Sequence, residues 1–519
     1  MSQAVVLDGE FGDSGERKVK PVAELAQLIA KHKQRGLKVV HCHGVFDVIH
    51  PGHIRHLRSA KAEGDLLVVT ITGDKFVDKG PGRPAFNERL RSEALAALSY
   101  VDYVAINRAP NAIDLIHALK PDVYVKGSDY VRPEDDPTGK IQDEEQAILS
   151  IGGRMHFTDE ITFSSSSLIN SHFGIFPPET EAWLQKFRRA HTLKDVLRYL
   201  ESAAGLKALV LGESIIDEYV FCHSLGKATK DPVLATLYRS TESQAGGAIA
   251  IANHLAGIVS QVSLLAQIGE IDGREEFIRR QLRPNVTPYF TYRTNAPTIH
   301  KRRFIDHHTG ARMLELYIME DAPPIDSDIK CVVDRINDIA RKFDLVVVAD
   351  YGHGMMAQPV IEAVTQTARF LSVNTQCNAG NHGFNTISKY QRADYVCLAW
   401  HELELEARIH APIQELADVL VGRICCPNFT ITRGKAGSVH FDSKGNFVEV
   451  PALAGEVVDR VGAGDTVLAA TSAMVVQGAP WDIVGFVGNI AGGQAVAQLG
   501  NRQAVNSVSL VKAIIALMQ

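Results

Sequence analysis

Strand-like apolar runs alternate with helical stretches along this chain, and the alternation starts twice, at Leu37 and again at Leu206. The first series predicts a helix over 21–33, a strand over 37–42 and a helix after Pro51. Strands over 65–72, 101–106 and 122–125 then alternate with helices over 87–98, 111–119 and 142–149. Strands separated by helices pair in parallel, which predicts a doubly wound α/β sheet. The second series opens at Leu206-Lys-Ala-Leu-Val-Leu-Gly212. Within it, 217–240 and 285–317 alternate β-branched and polar residues, as short strands of a small β lid inserted on the second sheet. A chain of 519 residues exceeds one ordinary core. The expected division is an N-terminal extension and helix over 1–34, a first α/β domain over 35–171, a linker over 172–204 marked by Pro177-Pro178, and a second α/β domain with its lid over 205–519.

A net charge of −6 gives no reason to expect nucleic acid or a membrane as partner, so any phosphate must be held locally. The seven cysteines are scattered, odd in number and without a C-x-x-C pair, which predicts reduced thiols in a cytoplasmic protein. The start has no apolar core of a signal peptide, and no apolar run approaches the ~20 residues of a spanning helix.

Two helix starts carry the chemistry. Gly44-Val45-Phe46-Asp-Val-Ile-His50-Pro-Gly-His53 lies where a strand runs into a helix. Pro51 suits the first turn, and a spacing of three puts both imidazoles on one face, able to donate to one phosphate at an anion-favouring helix start. Taken alone, H-x-x-H also occurs as a chance surface pair. Near the other end, Gly462-Ala463-Gly464 offers successive amides to an anion ahead of a helix over 465–477. Asp465 is placed to accept the proton of an attacking hydroxyl, or else is a plain acidic cap.

Residues 37–170 resemble the cytidylyltransferase-like family, in particular the transferase half of bifunctional heptose kinase/adenylyltransferases. Beyond the H-x-G-H motif, the matches are Asp74, Lys79, Arg83-Pro84, Asn87-Glu-Arg89, Val101-Asp102-Tyr103-Val104 and Val125-Lys126-Gly127-Ser-Asp129-Tyr130. The resemblance implies a Rossmann-like nucleotidyltransferase domain. In it Lys79, Arg83 and catalytic Lys126 hold phosphates, Asp74 or Asp129 serves substrate or metal, and Ser164-Ser165-Ser166-Ser167 contacts the triphosphate. The plainer alternatives are an N-cap for the serine run and a solvated loop charge for Lys79.

Residues 206–516 resemble the ribokinase family of carbohydrate kinases. The matches are Asp217, Gln244-Ala-Gly246-Gly247, Pro297-Thr298-Ile-His-Lys301, Ala349-Asp350-Tyr351, Thr432-Arg-Gly434-Lys-Ala-Gly437 and Asn489. By that resemblance Asp217, Gly246, Gly247 and Lys301 bind sugar. Thr432, Gly434, Gly437, Asn489 and the Gly462–Gly464 turn bind ATP, and Glu404 bears indirectly on magnesium. Several positions depart from the family: Ala250 for an asparagine, Asn374-Thr375-Gln376 for Asp-Pro-Lys, His401 for the asparagine of Asn-x-x-Glu, and His353 for lysine. The segment from Asn374 to Asn385 is rich in amides, which suit polyol hydroxyls better than a fixed charge.

Together these readings predict an enzyme of nucleotide-sugar synthesis. A nucleoside triphosphate (CTP, ATP or GTP) would react with a sugar phosphate such as heptose 1-phosphate at the first site. ATP would phosphorylate a sugar or sugar phosphate at the second. Magnesium is expected at both, with small-molecule partners and a homo-oligomer. The domain order is the reverse of the heptose enzyme, where the kinase comes first. The competing expectation is a transferase alone, carrying a sugar- or nucleotide-sensing kinase-like domain.

Overall fold

The computed structural model describes residues 18–77, 83–127, 140–158, 176–455 and 457–518. The chain divides into two compact units, residues 1–175 with 511–517, and residues 176–510.

The first unit is a parallel five-stranded sheet in the order β3-β2-β1-β4-β5. Its strands are β1 (Val39–Gly44), β2 (Leu66–Thr72), β3 (Tyr103–Asn107), β4 (Val123–Gly127) and β5 (Arg154–Thr158). Successive residues face opposite sides, so Val39, Val68 and Ala105 pack against Leu25, Ile29, Leu115 and Leu119 from helices Val22–Gln34 and Ile113–Leu119. Val40, Cys42, Val69 and Ile71 pack on the other face against Leu57 and Leu95, from helices Pro51–Ala62 and Glu88–Ala96. Each such Leu or Ile contributes about 1.5–3 kcal/mol against ~1 for a helix cap, so the two apolar faces decide the winding. The sequence pattern does not predict strand β5. It is an edge strand of which only Thr158 is fully buried, so it lacks an apolar run.

The second unit is built on one 21-residue strand, β6 (Lys207–Lys227). Its first part pairs in parallel with β8 (Gln261–Gly269) and β12 (Leu345–Asp350) inside the main sheet. Past Ser214 the same strand pairs with β7 (Leu234–Gly246) and β10 (Ile299–Asp306), and β11 (Arg312–Ile318) adds to β10. These strands form the lid. Residues 217–240 do belong to the lid, but the expectation of short strands there is corrected, since β6 runs unbroken from the sheet into the lid. The expectation for 285–317 is corrected in part, because β9 (Val286–Arg293) pairs with β8 in the main sheet.

Beyond β12 the main sheet continues through β13 (Leu371–Thr375), β14 (Tyr395–Ala399) and β15 (Asn428–Thr432) to β16 (Ser438–Asp442) and β17 (Phe447–Val450). One face packs against helices Asp326–Ile339, Gln358–Thr367 and Ile413–Arg423 through Val332, Val360, Val364 and Leu416. Helices Ala463–Val475 and Trp481–Val496 are themselves almost wholly buried. Of the stretch expected as a linker, Pro178–Ala190 and Leu193–Ala203 are helices of this unit. Phe187 lies 4.4 Å from Phe486 between ring centroids, and His191 meets Asp482 at 2.6 Å.

Candidate active sites

In the first unit the strand order reverses between β1 and β4, which opens a crevice at their carboxyl ends. His50 caps the Pro51–Ala62 helix there, its Nδ1 accepting from the Gly52 amide at 3.1 Å. An accepting Nδ1 leaves the proton on Nε2 in the neutral ring. That Nε2 is buried with no hydrogen-bond partner among the described residues. Burial also holds His50 below the usual imidazole range, so it is a neutral donor. The His53 ring stacks on it with centroids 4.0 Å apart, and Phe46, at φ 49°, closes edge-on against His53. Gly44 ends β1, and the Val45 carbonyl accepts from Arg91 at 2.6 Å.

Lys126 emerges at the end of β4, in an ion pair with Glu144 at 2.8 Å. The Tyr124 hydroxyl donates to the same Glu144. Burial first, and then the Lys126 charge, pushes His41 down to about 3 and His56 to about 4. Beneath the site, Thr70 bonds both His41 and His43 at 2.8 Å. Arg83 is buried 3.8 Å from Asp47, which also accepts the Ala85 and Phe86 amides.

The Asp74 carboxylate takes Arg91 Nη2 at 2.6 Å and the Glu88 amide at 3.0 Å, so it anchors a buried arginine. Lys79, Asp129, Ser164, Ser165 and Ser166 lie outside the described residues.

The second unit gathers its site where β12, the lid and the Ala463–Val475 helix converge. Gly462 precedes that helix at φ 81°, a left-handed conformation that disfavours other residues. Around Gly464 a side-chain carbon would meet nothing within 4 Å, so the amide turn is open in front. Asp465 is buried, and the Tyr351 hydroxyl donates to it at 2.9 Å. Burial, with Asp217 adding, pushes Asp465 up to about 7, against the Tyr351 bond and the Lys301 charge. Asp217 pairs with Arg303, and a Cβ at Gly246 would stand 2.1 Å from its Oδ2, so only glycine permits this approach. Gly247 starts the next helix at φ 57°. Lys301 is buried with its ammonium over the rings of Tyr317 and Tyr351, at 5.1 and 5.8 Å. A cavity of about 440 Å³ is lined by Lys301, Arg303, Arg312, Tyr317, Gln376 and Asn378, and by Val461 ahead of Asp465.

Thr432 ends β15, and Gly434 begins the one-turn helix Gly434–Ala436. A Cβ at Gly437 would lie 2.1 Å from the Val450 carbonyl. The Asn489 amide donates to Ser438 Oγ and to the Val450 and Pro451 carbonyls, so its donors pin the chain after β17.

Glu404 bonds His410 at 3.0 Å, while Glu402, two residues earlier, is buried and pushed up to about 7 by burial, with Asp465 contributing. Glu402 accepts the Cys377 and Ala399 amides. In the amide-rich segment Gln376 and Asn378 reach the cavity, but the asparagines also bond the protein itself. The side-chain nitrogens of Asn374, Asn378, Asn381 and Asn385 all donate to main-chain carbonyls, of Cys397, Tyr351, Gln376 and Asp350. Motif spacing does not single out Glu402, Arg303 or Arg312. Two-residue spacing from Lys301 along β10 is the available signal for Arg303.

The pfkB family carbohydrate kinase model matches residues 206–507, more than half of the chain. The chain belongs to the pfkB carbohydrate kinase family. A cytidylyltransferase-like model matches residues 41–170, so a domain of that kind precedes the pfkB domain. The chain is 29% identical over 315 residues to the bifunctional protein HldE of Trichlorobacter lovleyi, covering 59% of this chain and 62% of that protein. It is 38% identical over 168 residues to the protein of the same name from Pelobacter propionicus, covering 32% of each. The chain thus spans less than two thirds of the length of these curated relatives. Among solved structures, a phosphofructokinase-2 mutant from Escherichia coli superposes with a TM-score of 0.50 at 15% identity, over 60% of this chain and all of that one. That likeness shows the ribokinase-like fold of the second unit. Among the described residues no helix is long and apolar enough to cross a membrane.

Proposed function

We propose that the chain is a two-site enzyme of nucleotide-sugar synthesis. The observation that carries the reading is Asp465, a buried carboxyl brought to about 7 at the start of a helix whose glycine turn opens forward. A base of this kind takes the proton from a sugar hydroxyl, while the Gly464 amide at the helix start stabilises charge on the transferring phosphoryl group of ATP. Lys301 on the cavity, beside Arg303 and Arg312 that are paired with Asp217, Glu315 and Asp459, supports an anionic sugar, that is, a sugar phosphate.

At the first site a sugar phosphate such as heptose 1-phosphate attacks the α-phosphate of CTP, ATP or GTP, and pyrophosphate leaves. The His50 Nε2–H, the His53 ring and the helix start position the phosphates and donate to them, so no protein nucleophile is needed. Magnesium supplies charge neutralisation for both polyphosphates. Glu402 is the carboxylate nearest in kind to a ligand of that ion in the second unit, its burial and its link to Asp465 supporting it.

The reading extends to a cytoplasmic homo-oligomer. Leu234, Leu237, Tyr238, Leu314 and Leu316 leave apolar surface exposed on the lid, which supports pairing between copies. The sensing alternative draws on Asp217, whose carboxylate Arg303 already holds. The test is to incubate the full chain with magnesium, each triphosphate and a panel of sugars and sugar phosphates, detecting products by mass. A phosphorylated sugar together with a nucleotide-sugar is expected. Pyrophosphate release with no sugar phosphorylation across the panel would leave only the sensing alternative.

A further inference from the structure

The loop between β13 and β14 is rich in amides, and its asparagines bond the protein itself. Asn378 Nδ2 and Asn381 Nδ2 both donate to the Tyr351 carbonyl, at 2.7 and 3.1 Å. Asn381 also ties down Gln376, and its Oδ1 accepts the Asn378 and Gly383 amides. On the other side, Glu213 accepts the Tyr351 and His353 amides, both at 3.1 Å. Asn385 and Tyr390 hold Asp350, the residue before Tyr351. Tyr351 is thereby clamped at its amide, its carbonyl and its preceding residue. The clamp presents a single buried hydroxyl, 2.9 Å from Asp465 Oδ1.

We propose that Tyr351 is a positioning residue for Asp465, and that Asn381 of the asparagine loop acts on phosphoryl transfer through Tyr351 rather than by touching the sugar. This rests on the reading of Asp465 as the base. A carboxylate that receives one fixed hydrogen bond keeps its second oxygen aimed at the incoming hydroxyl. The groups facing Asp465 have opposing effects. Asp217 disfavours its charged form, while Lys301 and the Tyr351 hydroxyl favour it. Removing the hydroxyl therefore makes the base harder to ionise. Glu402 lies near enough for Asp465 to raise it, and so adds to the same side as Asp217.

The test compares the full chain with its Tyr351→Phe, Asn381→Ala and doubly substituted forms, measuring sugar-phosphate-dependent ADP formation against pH. Tryptophan fluorescence, which comes from the second unit alone, serves as the folding control. Wild type and Asp465→Asn are measured first, so a failure of the base assignment appears as ADP formation that survives Asp465→Asn and is distinct from any effect of the Tyr351 and Asn381 substitutions. Tyr351→Phe should move the acid limb of kcat/KM to higher pH by about one pH unit, roughly a tenfold loss on that limb, with activity recovering in alkali. Asn381→Ala should move the limb in the same direction by less. In the double form it should add little, because its effect passes through the absent hydroxyl. A uniform loss at all pH values in Tyr351→Phe would overturn the proposal. So would an Asn381→Ala effect that is undiminished in the double form, or one confined to sugar KM.

Discussion

Arg91 offers the sharpest test of how the first site is held. Its side chain is fully buried, and its guanidinium donates to the Phe86 carbonyl at 2.9 Å, Val45 at 2.6 Å, Thr72 at 2.8 Å and the Asp74 carboxylate at 2.6 Å. Replacement by Met keeps most of the volume and removes every donor. Breaking a buried charge pair costs about 3–5 kcal/mol. The low end applies here, about 3 kcal/mol, because the Asp74 side chain is 37% exposed and water replaces its partner. The Val45 carbonyl is released in the same step, and Val45 lies between Gly44 and the Phe46 ring that closes on His53. Arg91→Met should therefore lower pyrophosphate release well beyond the fraction unfolded. All three tryptophans, Trp183, Trp400 and Trp481, are in the second unit, so their fluorescence follows that unit while circular dichroism follows both. The expected result is an earlier urea transition by dichroism with an unmoved fluorescence transition. Equal movement of both signals, or unchanged pyrophosphate release, would refute the tether.

The second unit supplies two more expected outcomes. Gly246→Ala would place a carbon 2.1 Å from Asp217 Oδ2 and should displace that carboxylate, raising the sugar KM several-fold with little change in ATP KM, as read by steady-state kinetics. Asp465 binds its proton more tightly folded (about 7) than unfolded (3.8), so the stability it contributes is present below about 4 and lost as pH rises through about 7. The stability of wild type relative to Asp465→Asn should thus fall by a few kcal/mol between those limits and level off above them, in urea titrations followed by tryptophan fluorescence. A difference that grows with pH would contradict the raised value.

Where residue type and periodicity coincide, the sequence is informative. The runs at Leu37 and Leu206 stand out as continuous apolar stretches because the strands they form are buried on both faces, and the glycine turn at 462–464 marks a helix start by composition alone. Legibility fails where a role depends on what a side chain meets. Nothing local distinguishes Asp74, which anchors Arg91, from a carboxylate facing substrate. Glu402 and Glu404 sit two residues apart on one short helix, and only its orientation decides which is buried toward Asp465. The asparagines of 374–385 have the chemistry of sugar donors, yet tertiary packing gives each of them a carbonyl. β6 reads as several strands in the sequence because its apolar run gives way to mixed residues after Ser214, where the strand leaves the main sheet for the lid.

The most direct measurement takes full-length wild type, Asp465→Asn and His53→Ala, and monitors ADP formation with a sugar phosphate alongside pyrophosphate release. Two independent sites predict that Asp465→Asn removes the first activity and His53→Ala the second, each leaving the other within about twofold. Loss of both activities from either single substitution, or ADP formation that survives Asp465→Asn, would contradict them.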